Sequence, residues 1–154
     1  MAKVQLRNPG LAVNVGRGVL LDDELIPVPG GPASIADTGL DHRLSRPLGR
    51  SRLDDFFVLD DPGWAAVLYD LVSSEVMRLV TDQPGLGAYS GDSLSPTRTG
   101  LCLQASAWPD APNREDFPSC RLDPGEIYRR HTEHEFMRLP PESAPRRPGV
   151  RRPR

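Results

Sequence analysis

The sequence predicts an all-β fold, a sandwich built from short strands, and three observations carry that expectation. Seventeen Pro and fourteen Gly cut the 154 residues into short pieces, which favours strands joined by turns. Several apolar runs are rich in aromatic and branched residues or alternate with a period of two, and long runs of helix formers are scarce. Neither an internal repeat nor a strand–helix–strand rhythm is present. The length suits one domain, and a compact chain of this size buries roughly 68–70% of its unfolded surface.

Taken in order, the strand candidates begin with LAVNV at 11–15, which alternates and follows an Asn-Pro-Gly turn. Next come FFVLD at 56–60, WAAVLYD at 64–70 and VMRLVTD at 76–82, the last two joined by a hairpin-like link. LCLQASAW at 101–108 runs into a loop dense in Pro, Asp and Asn. IYRRHTEHEFM at 127–137 follows a turn at Asp123-Pro124-Gly125 and puts Tyr128, Thr132 and Phe136 on one face. The stretch 20–49, Pro- and Gly-rich, is expected to be irregular, although it is long for a loop inside a compact domain.

The formal net charge of −2 hides an asymmetry. Residues 140–154 hold five Arg, one Glu and many Pro, so a basic, disordered tail is expected there, with the folded domain confined to 1–139. The remaining acidic body argues against a nucleic-acid partner. The first ten residues lack the apolar core of a signal peptide and no run is long enough to span a membrane, so a cytoplasmic protein without a membrane partner is expected. Cys102 and Cys120 have no zinc-type spacing, and Cys102, in an apolar run, is expected to be a buried small hydrophobe.

Four groups of residues merit weighing as chemistry. GDSLS at 91–95 matches the first block of the GDSL esterases and would make Ser93 a nucleophile. The match sits past the middle of a β-rich chain, without the α/β context or the later blocks, so Ser93 is not expected to act as one. His131 and His134 in HTEHE fall on opposite faces of the expected strand, so they are read as a half-exposed polar surface and not a metal site. Asp54-Asp55 and Asp60-Asp61 flank the FFVL run; adjacent strand residues point apart, so neither pair forms an acid/base dyad by itself. His42 has only Asp41 as a polar neighbour of interest.

The stretch GLCLQASAWPDAPNREDFPSCRLDPGEIYRRHTEHEF closely resembles the C-terminal signature of the aldose 1-epimerases, the galactose mutarotase family. Trp108, Pro109, Asp110, Asn113, Phe117, Pro118, Leu122, Pro124, Gly125, Glu126 and Tyr128 stand where that signature has them. Upstream, RLVTDQPGLGAYSGDSL at 78–94, LDDFFVL at 53–59, GLDHRLSRPLG at 39–49 and VNVGRGVLLDDELIPVPGG at 13–31 resemble further family segments in the right order. The GDSL match thus falls where the family has Gly-Asn-Phe-Leu.

The resemblance implies a galactose-mutarotase-like β-sandwich, here partial, that interconverts the anomers of a free hexose such as galactose or glucose without a cofactor or a metal. In the family a Glu takes the proton of the C1 hydroxyl, a His protonates the ring oxygen, and an Asp, an Arg and a second His hold the sugar hydroxyls. Carried over position by position, the base is Gln104, an amide that takes up no proton at neutral pH. The sugar-contacting Asp is Asp54, followed by Asp55 where the family has His. Gly16, Gly18 and Gly87 replace an Asp, an aromatic residue and a Gln. The two His and the Arg belong to the family's N-terminal half, and His42, His131 and His134 match neither His position. The resemblance therefore implies an impaired or inactive epimerase, or alternatively a non-catalytic sugar-binding or regulatory module or a decayed fragment. It also implies self-association or a separate chain supplying the other half, with FFVL and WAAVLY as the runs at risk of exposure.

Overall fold

The computed structural model describes residues 9–60 and 63–140. The tail expected beyond Pro140 and the carboxylate of Asp61 lie outside the described residues. Among the described residues ten strands follow one another: β1 (Pro9–Val13), β2 (Arg17–Leu21), β3 (Pro27–Ser34), β4 (Arg46–Pro47), β5 (Asp54–Val58), β6 (Gly63–Asp70), β7 (Glu75–Thr81), β8 (Gly85–Tyr89), β9 (Cys102–Ser106) and β10 (Thr132–Arg138). The helical content among the described residues is one 3-10 turn, Ala111–Asn113. The all-β expectation holds.

The strands form two five-stranded sheets, in the orders β10-β7-β6-β1-β4 and β3-β2-β5-β8-β9. Every pairing is antiparallel. Both sheets feed one buried cluster. Leu11, Val13, Ala66, Leu68 and Leu79 come from the first sheet, and Phe57, Leu86, Ala88 and Ala105 from the second. Phe57 and Leu86 are fully enclosed, each contributing about 1.5–3 kcal/mol of burial.

Residues 20–49, expected to be irregular, contain β3, β4 and the end of β2. β3 reads PVPGGPAS, and its three prolines are tolerated because it is an edge strand whose outer side needs no ladder bonds. β8, GLGAY, also gives little strand signal on its own; β5 and β9 hold it on either side. β10 begins at Thr132, so residues 127–131, expected to be part of the strand, precede it without regular structure.

The expectation that FFVL and WAAVLY would be exposed is corrected, except at Trp64, which stays exposed. β5 lies between β2 and β8, and β6 between β7 and β1, so both have neighbours on each side. Large apolar side chains stay exposed at several other places, among them Leu25, Ile26, Leu44, Ile127, Tyr128 and Phe136.

Candidate functional site on the outer face of the second sheet

The second sheet has an outer core as well as an inner one. Val19, Phe56 and Val58 project from its outer face and are covered by Ala111 and Phe117, with Leu21 and Trp108 packed alongside. The covering residues come from the loop after β9, so the density of Pro, Asp and Asn at 108–118 has a physical purpose. Asp110 takes a left-handed conformation, φ 58°, at the start of the 3-10 turn and accepts the Asn113 side-chain amide at 2.6 Å, a conformation Asp and Asn tolerate better than most residues. The turn swings Phe117 back onto Trp108, edge to face at 4.9 Å between ring centroids. The Arg114 guanidinium stacks on Phe117 at 4.5 Å and donates to the Pro27 carbonyl at 3.1 Å, tying the loop to β3. Trp108 Nε1 donates to the Pro84 carbonyl at 2.9 Å.

Beside this covered patch the same face opens into a hollow of about 250 Å³, with Leu21, Leu25, Phe56 and Pro109 as apolar walls and Asp54 and Gln104 as polar groups. Register explains the grouping. Asp54 faces Tyr89 and Phe56 faces Gly87 across β5 and β8; Gly87 faces Gln104 and Tyr89 faces Cys102 across β8 and β9. All six therefore point to one face, because paired strand residues share a side. Asp54 and Gln104 stand two strands apart and two residues offset, roughly 12 Å between Cα atoms from ordinary sheet spacings. Neither the Asp54 carboxylate nor the Gln104 amide has a hydrogen-bond partner among the described residues.

Alternation also settles the Asp54-Asp55 pair. Asp54 shares the outer face with Phe56, whereas Asp55 follows Phe57 to the other side and accepts the Asp54 backbone N–H at 3.0 Å. Burial pushes the Asp55 carboxyl above its ordinary range, and the neighbouring Asp54 charge adds to the rise. Cys102 is half-buried on the pocket face rather than in the core; its spacing of two from Gln104 was the available signal. Tyr89, Leu21 and Leu25 carried no sequence signal, since only pairing and the β2–β3 turn bring them here.

None of the other candidates lines this pocket. Ser93 is exposed and bonded to Tyr89, whose hydroxyl also accepts the Ser93 N–H at 2.7 Å; its neighbour Asp92 pairs with Arg98. His131 and His134 lie on the far edge of the first sheet, with the His131 ring 3.6 Å from Glu133. Among the described residues no group of three His, Cys, Asp or Glu is placed to hold a metal ion. His42 is fully buried against β1, its Nδ1 3.3 Å from the Leu11 carbonyl and its Nε2 3.4 Å from the Arg46 guanidinium. Burial and the Arg46 charge push its pKa down. Asp60 pairs with Arg17 at the surface.

Two larger hollows are less suited to chemistry. One, about 740 Å³, lies beside the 37–46 loop, where Asp41 and Arg43 are already bonded at 2.7 Å and the guanidinium holds the Asp41 carboxyl far below its usual range. The other, about 370 Å³, is an apolar groove between β7 and β10.

The two-sheet antiparallel fold matches that of solved aldose epimerases. A GalM/aldose epimerase homologue from C. elegans superposes with a TM-score of 0.81 over 88% of this chain and 47% of its own, at 21% identity. Galactose 1-epimerase from Lactobacillus acidophilus gives 0.64 over 88% and 45%, at 19% identity. A family profile described as aldose 1-epimerase matches residues 3–135, and the chain belongs to that family. Among its relatives, galactose mutarotase from Bos taurus is 31% identical and that from Homo sapiens 32% identical, over 75% of this chain in each case. The match spans 40% of the length of those relatives.

Proposed function

We propose that the outer-face hollow is a hexose-binding cleft of the aldose 1-epimerase type in which anomer interconversion is strongly impaired or lost. One observation carries this reading: Asp54 and Gln104, the two positions the resemblance assigns to sugar contact and to the base, line the same pocket. The carboxylate can accept hydroxyl hydrogens and the apolar walls can cover the carbon face of a sugar ring. At Gln104, however, an amide stands where a proton must be taken up. Losing a positioned general base costs about 10²–10⁴-fold in rate, and the charged group on the pocket face is the Asp54 carboxylate, which supplies no cationic acid.

Polarimetry with fresh α-glucose and α-galactose, paired with ligand-observed NMR for binding, tests the proposal. The expected result is saturable binding with equilibration at the buffer rate. Equilibration well above that rate would show that the chain retains a working acid and base.

A polypeptide partner belongs to the same reading. Ile127 and Tyr128, adjacent in the chain, are 75% and 62% exposed, and exposed large apolar groups are what interaction surfaces use. Light scattering after size exclusion distinguishes self-association from a monomer awaiting a second chain.

A further inference from the structure

Resting on that cleft reading, we propose that the pocket takes a sugar whose C1 oxygen is already substituted, a glycoside, in preference to a free reducing hexose. The inference comes from Gly87 and Gln104, which face each other across β8 and β9. Glycine at 87 is demanded neither by the backbone nor by packing. A Cβ there would rest at ordinary contact, 3.7 Å from the Gln104 carbonyl oxygen and 3.8 Å from Phe56 Cδ2. Gly85, two residues earlier, is different: a Cβ would fall 2.2 Å from Phe56 Cε1. Gly85 makes room for the Phe56 ring, whereas Gly87 leaves bare floor between that ring and Gln104. The vacant floor adjoins apolar walls, Phe56 and Pro109, suited to carbon and not to a further hydroxyl.

The chemistry at Gln104 agrees. A free anomeric hydroxyl donates and accepts, so it suits a carboxylate. A glycosidic oxygen carries no hydrogen and can only accept; a carboxylate, itself acceptor-only, would face it lone pair to lone pair. The Gln104 amide supplies an N–H donor for that oxygen, and its carbonyl remains free for a neighbouring hydroxyl. With no partner among the described residues, both halves of the amide are available to a ligand. The substituent on the C1 oxygen then lies over Gly87.

Isothermal titration of the full chain with methyl galactoside and methyl glucoside, beside free galactose and glucose, tests the assignment. Methyl glycosides are expected to bind at least about fivefold tighter than the matching free sugars, a difference of about 1 kcal/mol. Gly87→Gln, which fills the floor, is expected to abolish that preference, and Gln104→Glu is expected to reverse it. Thermal melts confirm that each variant is folded, with Gly87→Ala as the milder filling change. Equal or tighter binding of the free sugars by the unmodified chain overturns the inference but leaves the hexose cleft standing, as does a preference unchanged in Gly87→Gln. Binding of neither class overturns the cleft reading and this inference together.

Discussion

Replacing Phe117 by Ala should loosen the loop that roofs the outer face of the second sheet, and the structure allows the cost to be worked out. Phe117 is 6% exposed. An aromatic side chain of this kind buries about 150–200 Å², worth about 4–5 kcal/mol at 25 cal/mol per Å². Alanine retains part of that area, and the denatured chain already buries some of it, leaving about 2–3 kcal/mol. The edge-to-face contact with Trp108 adds about 0.5–1.5 kcal/mol, and the Arg114 stack about 0.5 kcal/mol at a partly exposed site. The total, about 3–5 kcal/mol, matches the range measured for Phe→Ala changes in cores. Because the cluster is a satellite of the main core, the chain has an alternative to global unfolding: it can release residues 108–117 and keep the inner sandwich. Urea denaturation followed by Trp108 fluorescence, in a Trp64→Phe background that leaves one tryptophan, reads both routes. Either the midpoint falls by the equivalent of about 3 kcal/mol, or Trp108 emission shifts to the red before the main transition. A variant within about 0.5 kcal/mol of its parent with unshifted emission would refute the idea that this loop is held by Phe117.

The two glycines of β8 should respond oppositely. Gly85→Ala forces Phe56 aside and should cost about 1–3 kcal/mol, whereas Gly87→Ala should be neutral or stabilising by up to about 1 kcal/mol; equal losses in urea melts would contradict the packing described here. His42 should make the fold acid-sensitive. Its pKa is lowered by burial first and by Arg46 second, so the folded chain binds its proton less readily than the unfolded one. The contribution is fully present above about pH 6.5, the ordinary His value, and is lost as pH falls towards the depressed folded value. Stability that fell no more steeply between pH 7.5 and 5 than in His42→Asn would rule this out. Ser93 should remain unlabelled by a fluorophosphonate probe, since its partner is Tyr89 and not a histidine; stoichiometric labelling at Ser93, seen by intact mass, would overturn the structural role.

Sequence alone determined the local features. Period two and aromatic content marked the strands that became β5, β6, β7 and β9, and the Pro, Asp and Asn residues of 108–118 marked a stiff, polar loop before its purpose was visible. The motif resemblance placed Gln104 and Asp54. Three things were decided only by the tertiary structure. β3 and β8 became strands because neighbours completed their ladders, although Pro and Gly weaken any local signal there. The pocket formed because register brought Asp54, Gly87 and Gln104 onto one face. The aromatic residues Phe56 and Phe57 proved to be buried, whereas large apolar side chains stay exposed at scattered positions such as Leu44 and Ile127. The physical reason is common to all three: alternation along a strand says which residues share a face, but which strands stand side by side, and in what register, is set by contacts between segments far apart in the chain.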